Sequence, residues 1–249
     1  MNRLDQCFDR LQEQGRKALI PYLTAGDPHI DDTYHLAQVL EQAGADILEL
    51  GVPFSDPLAD GPTIQSAAER ALQAGTTPNA VLEVVSRIRQ VSQIPIVLLV
   101  YYNTVLRLGE GTFMKACANT GVDGLVIPDL PTGVSESLSH YSLSTGVKVI
   151  HMLAPTSTLR RIREVCQTAS GFIYCVSTTG VTGMRSNVSE SLASFLETIR
   201  ACTSCPLAVG FGISNPEQAV QVASVADGII VGSALVELVH TTLSNSGKD

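Results

Sequence analysis

The sequence predicts an α/β fold, a single (β/α)8 TIM barrel preceded by an extra N-terminal helix. Its 249 residues match the roughly 250 residues that one such barrel requires. Short apolar, β-branched runs alternate along the chain with longer segments of helical period, which is typical of parallel β-α units. No linker, low-complexity tract or charge run divides the sequence, so we predict one domain spanning residues 1–249.

Eight runs are candidate strands because they are almost continuously hydrophobic, as strands of a parallel sheet covered on both faces are. Helical segments such as "IDDTYHLAQVLEQAG" and "PNAVLEVVSRIRQV" separate them. The predicted strands are Ala18–Leu23, Ile47–Leu50, Ile96–Tyr101, Gly124–Ile127, Lys148–Leu153, Phe172–Val176, Leu207–Gly210 and Gly228–Val231.

The N-terminal segment "MNRLDQCFDRLQEQGRK" predicts an amphipathic helix and has no apolar signal core, which indicates a cytoplasmic protein. No window reaches the roughly 18 apolar residues of a membrane span. The net charge is −8 and no basic stripe is present, which argues against nucleic acid as a partner. An anionic ligand would therefore be bound by backbone N–H groups or by isolated side chains.

A weak internal repeat supports the barrel. The segments "AGADILEL", "TGVDGLVI" and "SVADGIIV" each place a small residue and an aspartate just before a predicted strand. The aspartates are Asp46, Asp123 and Asp227. Helix-to-strand loops lie at the bottom of a barrel and serve stability, so we interpret these three residues as structural.

The predicted strand-to-helix loops carry the unusual residues, and this is the face where barrel enzymes have their active sites. Three successive loops, "TTGVTG", "GFGIS" and "VGSA", are rich in glycine. Glycines allow backbone N–H groups to approach an anion, and a helix N-terminus adds a favourable dipole. These loops predict a phosphate site that needs no lysine or arginine.

Three acids follow the second predicted strand in "LELGVPFSDPLADGP". Glu49 lies between two leucines at a strand end, where partial desolvation would raise its pKa into a range suited to proton transfer. Asp60 ends a proline-stiffened loop and could turn back over the same mouth. Asp56 fits the exposed tip of that loop better, but the residue pattern alone favours Asp60 over Asp56 only modestly.

Other chemistries have little support in the sequence. A Schiff-base lysine inside the barrel is not predicted, because Lys148, which begins a predicted strand, is at the wrong end. The five histidines are dispersed, and His151, the one in a strand, is interpreted as a core residue. The C-x-x-C formed by Cys202 and Cys205 has no second such pair, so we interpret it as ordinary thiols. Cofactor-free acid–base catalysis on a phosphorylated molecule remains.

Taken together, "LELGVPFSDPLADGPTIQ", "PYLTAGDP", "YYN", "GVDGLVIPDLP", "VGFGIS" and "IIVGSA" resemble the tryptophan synthase α chain family over the whole length. The resemblance implies retro-aldol cleavage of indole-3-glycerol phosphate to indole and glyceraldehyde 3-phosphate. It implies no cofactor in this chain. It also implies a β chain partner carrying pyridoxal phosphate, in an α2β2 heterotetramer, to which the indole passes.

The resemblance also assigns roles to individual positions. Glu49 matches the family's general acid/base, Asp60 its second catalytic carboxylate, and Tyr174 its active-site tyrosine. Thr182, in the polar segment 177–191 that we expect to order over bound ligand, would reach towards Asp60. The indole pocket would be lined by Tyr22, Leu99, Tyr101 and Phe211. The phosphate loops would contribute Gly183, Gly212, Gly232 and Ser233. The loop that touches the β chain would contribute Pro53, Asp56 and Pro57.

Three alternatives stay open at this point. The chain could be another phosphate-binding barrel enzyme, such as a sugar-phosphate isomerase or epimerase, although paired Glu49 and Asp60 with an apolar pocket argue against it. It could be a catalytically silent subunit that activates its partner, against which the retained acids also argue. It could finally be a free-standing lyase that releases indole.

Overall fold

Parallel strands alternate with helices throughout the computed structural model, which describes residues 1–130, 135–177, 190–210 and 212–246. The strands are β1 (Ala18–Thr24), β2 (Leu48–Gly51), β3 (Ile96–Leu99), β4 (Gly124–Val126), β5 (Lys148–Ile150), β6 (Met152–Leu153), β7 (Ile173–Val176), β8 (Leu207–Gly210) and β9 (Gly228–Val231). The helices are α1 (Arg3–Glu13), α2 (Ile30–Gln42), α3 (Pro62–Gln73), α4 (Pro78–Arg89), α5 (Tyr102–Leu108), α6 (Glu110–Thr120), α7 (Ser135–Thr145), α8 (Leu159–Thr168), α9 (Glu190–Arg200), α10 (Pro216–Ala223) and α11 (Ser233–Ser246).

The sheet closes into a barrel through the fifth predicted strand. Its order is β5-β4-β3-β2-β1-β9-β8-β7-β6, and every neighbouring pair is parallel. The run predicted as one strand, Lys148–Leu153, is divided at His151 into β5, which pairs with β4, and β6, which pairs with β7. The carbonyl of His151 accepts a bond from the Tyr174 N–H at 3.0 Å. The predicted TIM barrel is confirmed. The described residues form nine strands in place of the predicted eight, because the chain changes its pairing partner at His151.

Helix α1 fills the lower end of the barrel. Asn2 begins it, because its side chain accepts a hydrogen bond from the Leu4 N–H. Leu4, Cys7, Phe8 and Leu11 recur at helical spacing and are all buried, so one face of α1 is apolar. They join the inward-facing side chains of the strands in one cluster. The predicted N-terminal helix thus closes the bottom of the barrel and leaves its upper end for a ligand.

The three repeated aspartates bond to the adjacent strands. In each case the Oδ2 atom accepts a hydrogen bond from a backbone N–H at the start of the preceding strand of the sheet. The pairs are Leu19 to Asp46 at 3.0 Å, Ile96 to Asp123 at 2.8 Å and Leu207 to Asp227 at 2.9 Å. Asp123 also forms an ion pair with Arg89 at 2.6 Å. These bonds give the aspartates the structural role that the repeat predicts.

Apolar side chains that face away from the barrel axis pack under the helices. Between α8, α9 and the sheet they form a group that we call the outer cluster, consisting of Leu153, Ile162, Val165, Ile173, Cys175, Leu192, Phe195, Leu196, Ile199, Leu207, Val209 and Ala226. A second group lies under α2, α4 and α6. In the described parts of the chain, no helix is long and apolar enough to cross a membrane.

Candidate active site

A cavity of about 360 Å³ opens at the carboxyl ends of the strands. This is the end of a β/α barrel at which active sites occur. Strands β1, β2, β3, β7 and β9 each contribute one inward-facing side chain to it. The lining residues are Tyr22, Glu49, Asp60, Gly61, Ile64, Leu99, Tyr174, Gly212, Ile213, Ser214, Ile230, Gly232, Ser233 and Ala234. Apolar walls with few polar groups are typical of a site for a small organic ligand.

A larger opening of about 970 Å³ lies at the other end of the barrel, beside α1. Its charged side chains are engaged with one another, as in the pairs Arg3–Asp123 at 3.0 Å and Lys148–Asp5 at 2.9 Å. These pairs attach α1 to the bottom of the barrel, which is a structural task. The smaller cavity is therefore the candidate active site.

Glu49 lies at the centre of this cavity wall. Alternation along β2 turns its neighbours Leu48 and Leu50 outwards and Glu49 inwards. The side chain is 2% exposed, and among the described residues neither carboxylate oxygen has a hydrogen-bond partner. Burial, with a smaller contribution from the charge of Asp60, raises the pKa of Glu49 to about 8. At neutral pH the unliganded group is therefore mostly a neutral acid that can donate a proton.

Asp60 is positioned by Tyr101. The Tyr101 hydroxyl donates a hydrogen bond to Asp60 Oδ2 at 3.0 Å and accepts one from the Ala59 N–H at 3.0 Å. The Tyr101 ring stacks on Phe54 with 5.0 Å between centroids. Burial raises the pKa of Asp60, and the hydrogen bond from Tyr101 opposes that shift. Tyr101 thus contacts the proline-rich loop after β2 near both of its ends, at Phe54 and at Asp60. Asp60 lines the cavity.

Two tyrosines flank the acids, and two glycines make room for them. A β-carbon at Gly51 would collide with the Tyr22 hydroxyl, and one at Gly210 would lie 2.5 Å from the Tyr174 hydroxyl. The pKa of Tyr22 is raised chiefly by burial and then by the charge of Asp60. The pKa of Tyr174 is raised by burial and then by Glu49. Both hydroxyls therefore keep their protons at neutral pH. Sequence reasoning grouped Gly210 with the phosphate loops, whereas its missing side chain makes room for Tyr174.

The upper rim of the cavity is formed by backbone. Helix α11 begins at Ser233, so the N–H groups of Ser233 and Ala234 have no acceptor within the helix. Gly232 precedes it, and the carbonyl of Gly232 accepts bonds from residues 235 and 236 in that turn. Gly212 has φ +80°, a conformation that favours glycine. No lysine or arginine lines this cavity among the described residues. An anion here would be bound by N–H groups and the helix dipole.

The structure brings most of the predicted site residues together. Eight of them line the cavity: Tyr22, Glu49, Asp60, Leu99, Tyr174, Gly212, Gly232 and Ser233. Tyr101 lies behind that lining and contacts Asp60. Pro53, Asp56 and Pro57 lie in the loop between β2 and α3, away from the cavity, with Pro53 buried and Asp56 exposed. Thr182, Gly183 and Phe211 lie outside the described residues, as does most of the segment 177–191.

Sequence reasoning missed several apolar parts of the wall. Ile64 stands four residues after Asp60 in α3, and its inward position follows from the helical spacing of its buried partners Ala67, Ala68 and Ala71. Ile230 alternates with its neighbours along β9, so a period of two would have placed it inside the barrel. Both signals are present in the sequence, but many other apolar positions share them.

The fold and the cavity define a class of protein. The molecule is a β/α barrel with a cavity at the carboxyl ends of its strands. Two carboxylic acids of different environment and the N-terminus of a helix line that cavity, and this arrangement is typical of barrel enzymes.

Comparison with known proteins gives the family. The family model described as "Tryptophan synthase alpha chain" matches residues 8–249, and the chain belongs to that family. The chain is 49% identical over 237 residues to the tryptophan synthase alpha chain of Caldanaerobacter subterraneus subsp. tengcongensis, covering 95% of this chain and 90% of the relative. It is 50% identical over 237 residues to that of Citrifermentans bemidjiense, covering 95% and 89%.

Solved structures agree with the sequence relatives. The crystal structure of the tryptophan synthase alpha chain from Legionella pneumophila subsp. pneumophila has a TM-score of 0.90 at 36% identity, covering 99% of this chain and 90% of that one. A Mycobacterium tuberculosis tryptophan synthase structure has a TM-score of 0.88 at 37% identity, covering 95% and 90%. The family catalyses the aldol-type cleavage of indole-3-glycerol phosphate, so the chain is a lyase of tryptophan biosynthesis. This membership removes the isomerase and epimerase alternative.

Proposed function

We propose that Glu49 and Asp60 divide the acid–base work of the cleavage, without a cofactor bound to this chain. The carbon–carbon bond between indole C3 and the glycerol chain breaks. For the products to form, indole C3 gains a proton and the neighbouring glycerol hydroxyl loses one. Positive charge develops on the indole ring while C3 is protonated. A neutral acid and an ionised carboxylate in separate environments suit these two needs.

Glu49 is assigned the proton transfers. Its raised pKa, about 8, leaves it protonated at neutral pH, so it can protonate C3. The resulting Glu49 carboxylate then accepts the proton of the glycerol hydroxyl. At the same time the carbon–carbon bond to indole C3 breaks and the aldehyde forms. The group regains its starting state within one cycle. Because neither of its oxygens bonds to another described residue, both are open to substrate.

Asp60 is assigned the charge of the ring. The hydrogen bond from Tyr101 to Oδ2 favours its carboxylate form over its acid form. An ionised carboxylate at the cavity wall can accept a hydrogen bond from the indole N–H and stabilise the positive charge there. The observation that carries the proposal is this pairing in a single cavity: Glu49 has no hydrogen-bond partner among the described residues, and Asp60 accepts a hydrogen bond from Tyr101.

The cavity suggests the pose of the substrate. Ile64, Leu99 and Ile230 supply apolar walls for a planar aromatic ring, next to the two acids. The glycine loop at Gly212 and the start of α11 at Ser233 supply a backbone site for the phosphate. The ring and the phosphate would thus be fixed at opposite ends, with the scissile bond between them and close to Glu49.

A β chain is the proposed partner, in an α2β2 heterotetramer, with pyridoxal phosphate bound to the β chain. The loop between β2 and α3 is accessible to such a partner, since Asp56 is exposed and Leu58 is 92% exposed. Asp60 ends the same loop, so a partner on this surface would act on the position of a catalytic acid. Turnover measured with and without a β chain distinguishes this arrangement from a free-standing lyase, whose rate would not respond.

The decisive experiment replaces Glu49 by glutamine, which keeps the shape of the side chain but cannot exchange a proton. The rate of cleavage is measured through the enzymatic oxidation of the released aldehyde. We expect a loss of at least about 10³-fold in kcat, with binding of a non-cleavable indole-alkyl phosphate retained. Glu41→Gln is the matched control, because Glu41 accepts a hydrogen bond from Ser92 far from the cavity. A Glu49→Gln variant with near-normal turnover would refute the assignment.

A further inference from the structure

The C-x-x-C motif has no role in the cleavage, and the structure gives one of its cysteines a different neighbour. Burial raises the pKa of the Cys166 thiol in the last turn of α8, and the nearby Cys202, which follows α9, adds to that rise. Both residues also meet at one backbone carbonyl. The Ile199 oxygen is 3.9 Å from Cys166 Sγ and accepts the Cys202 N–H at 2.8 Å. Two cysteines that are distant in sequence are therefore neighbours at the carbonyl of Ile199.

The surrounding thiols differ in access to solvent. Cys202 is exposed, Cys166 and Cys205 are half-buried, and Cys175 is fully buried in the outer cluster. Burial raises the pKa of Cys175 and of Cys205 to about 12 in each case, which leaves them as unreactive thiols. Within the described residues, no group of His, Cys, Asp or Glu side chains is arranged to hold a metal ion. Cys202 is thus the thiol that a dissolved oxidant can reach, and Cys166 is its neighbour.

We propose that Cys166 and Cys202 form a reversible disulfide when the protein meets a peroxide such as hydrogen peroxide. The Cys202 sulfur attacks one peroxide oxygen, which gives a sulfenic acid and releases water. The Cys166 sulfur then attacks the Cys202 sulfur, the S–O bond breaks, and a second water leaves with the thiol proton. The two sulfurs lose two electrons and the two peroxide oxygens gain them. A dithiol reductant reverses the reaction.

The bond would join two elements that already pack together. Ile162 and Val165 of α8 belong to the outer cluster together with Phe195 and Ile199 of α9. Cys202 lies in the connection that leads to the start of β8, at the end of the barrel opposite the cavity. The disulfide therefore constrains the unfolded chain without touching Glu49 or Asp60. It should raise the melting temperature, by roughly 5 °C or more, and leave the cleavage rate unchanged.

The test treats the full-length protein with hydrogen peroxide and maps its cysteines by mass spectrometry. We expect a loss of two hydrogen atoms, a linked peptide joining Cys166 to Cys202, recovery of both thiols with dithiothreitol and unchanged turnover. Cys202→Ser should abolish the link, whereas Cys205→Ser, the control from the same motif, should retain it.

Three results would overturn the proposal. The first is a Cys202–Cys205 link in the wild-type protein. The second is oxygen addition to Cys202 while the Cys166 thiol stays free. The third is that every cysteine still carries a free thiol after peroxide treatment. Each is measured on the wild-type protein, so the outcome does not depend on the folding of a variant.

Discussion

The hydroxyl of Tyr101 lies between the backbone and the carboxylate of the loop that follows β2, accepting from the Ala59 N–H and donating to Asp60 Oδ2, both at 3.0 Å. Tyr101 precedes α5, so a residue of one strand-to-helix connection fixes the acid of the neighbouring one. The stacking of its ring on Phe54 attaches the start of that loop as well. Tyr101 is therefore a positioning residue for Asp60.

Removal of this hydroxyl should weaken catalysis and change its pH dependence. Tyr101→Phe leaves the stacked ring but deprives Asp60 of the donor that opposes the rise of its pKa. We expect kcat/KM to fall by roughly 10–100-fold, the value of a hydrogen bond to a charged group. The acidic limb of the kcat/KM profile should move to higher pH. Tyr102→Phe is the control, since its hydroxyl donates to Glu110 at 2.8 Å, away from the cavity. A purely structural role would lower the rate without moving the limb.

Asp60 and Asp56 should respond differently to the same substitution. Asp60→Asn removes the charge proposed to stabilise the indole ring, so we expect a loss of roughly 10²-fold or more in kcat. Asp56 is exposed and accepts a hydrogen bond from Ser55 at 2.6 Å, away from the cavity. Asp56→Asn should therefore leave the activity of the isolated chain unchanged and reduce only its response to a β chain. Two equally inactive variants would remove the distinction between the acids.

The barrel and much of its cavity could be predicted because the relevant signals are local. Strand periodicity placed Glu49 inside, and glycine-rich loops placed Gly232 and Ser233 on the rim. The division of the fifth strand at His151 could not be predicted, because the change of pairing partner depends on where the barrel closes. The contact of Tyr101 with Asp60 was also missed, since it joins separate connections and leaves no spacing in the sequence. The clearance that Gly210 provides for Tyr174 depends on the same kind of long-range packing.

Burial of Glu49 should make the folded protein less stable as the pH rises. The ordinary pKa of the side chain is 4.5, and in the fold it is raised to about 8. Below pH 4.5 Glu49 is protonated in both the folded and the unfolded chain, so it adds nothing to the pH dependence of the free energy of unfolding. Between these values the unfolded chain releases the proton and the folded one keeps it, so the free energy of unfolding falls, by about 3 kcal/mol at pH 7.

Glu49→Gln removes that dependence. The variant should be more stable than the wild type at pH 7 to 8, and the difference should shrink towards pH 4.5, because the neutral acid and the amide then have similar costs. Urea unfolding of both proteins between pH 4.5 and 8 measures the difference in their free energies of unfolding. A difference that stays constant with pH would mean that Glu49 is ionised in the fold.

The phosphate site can be tested at Gly232 with less risk to the fold than at Gly212. Gly212 has φ +80°, so any side chain there strains the backbone and its effect on binding would be confounded. The described atoms nearest to a β-carbon at Gly232 would belong to Tyr22, at 3.7 Å, which is an ordinary contact distance. Gly232→Val should therefore fold, while its branched side chain occupies the space next to the first turn of α11. We expect KM for indole-3-glycerol phosphate to rise by about 10-fold or more, with kcat changed much less, as for loss of an interaction made equally in ground and transition states.

Gly61→Ala is the control, because Gly61 also lines the cavity and a β-carbon there would have open space. Inorganic phosphate should compete with substrate in the control and lose this effect in Gly232→Val. If KM stayed normal while kcat fell, the phosphate would have to bind elsewhere on the barrel.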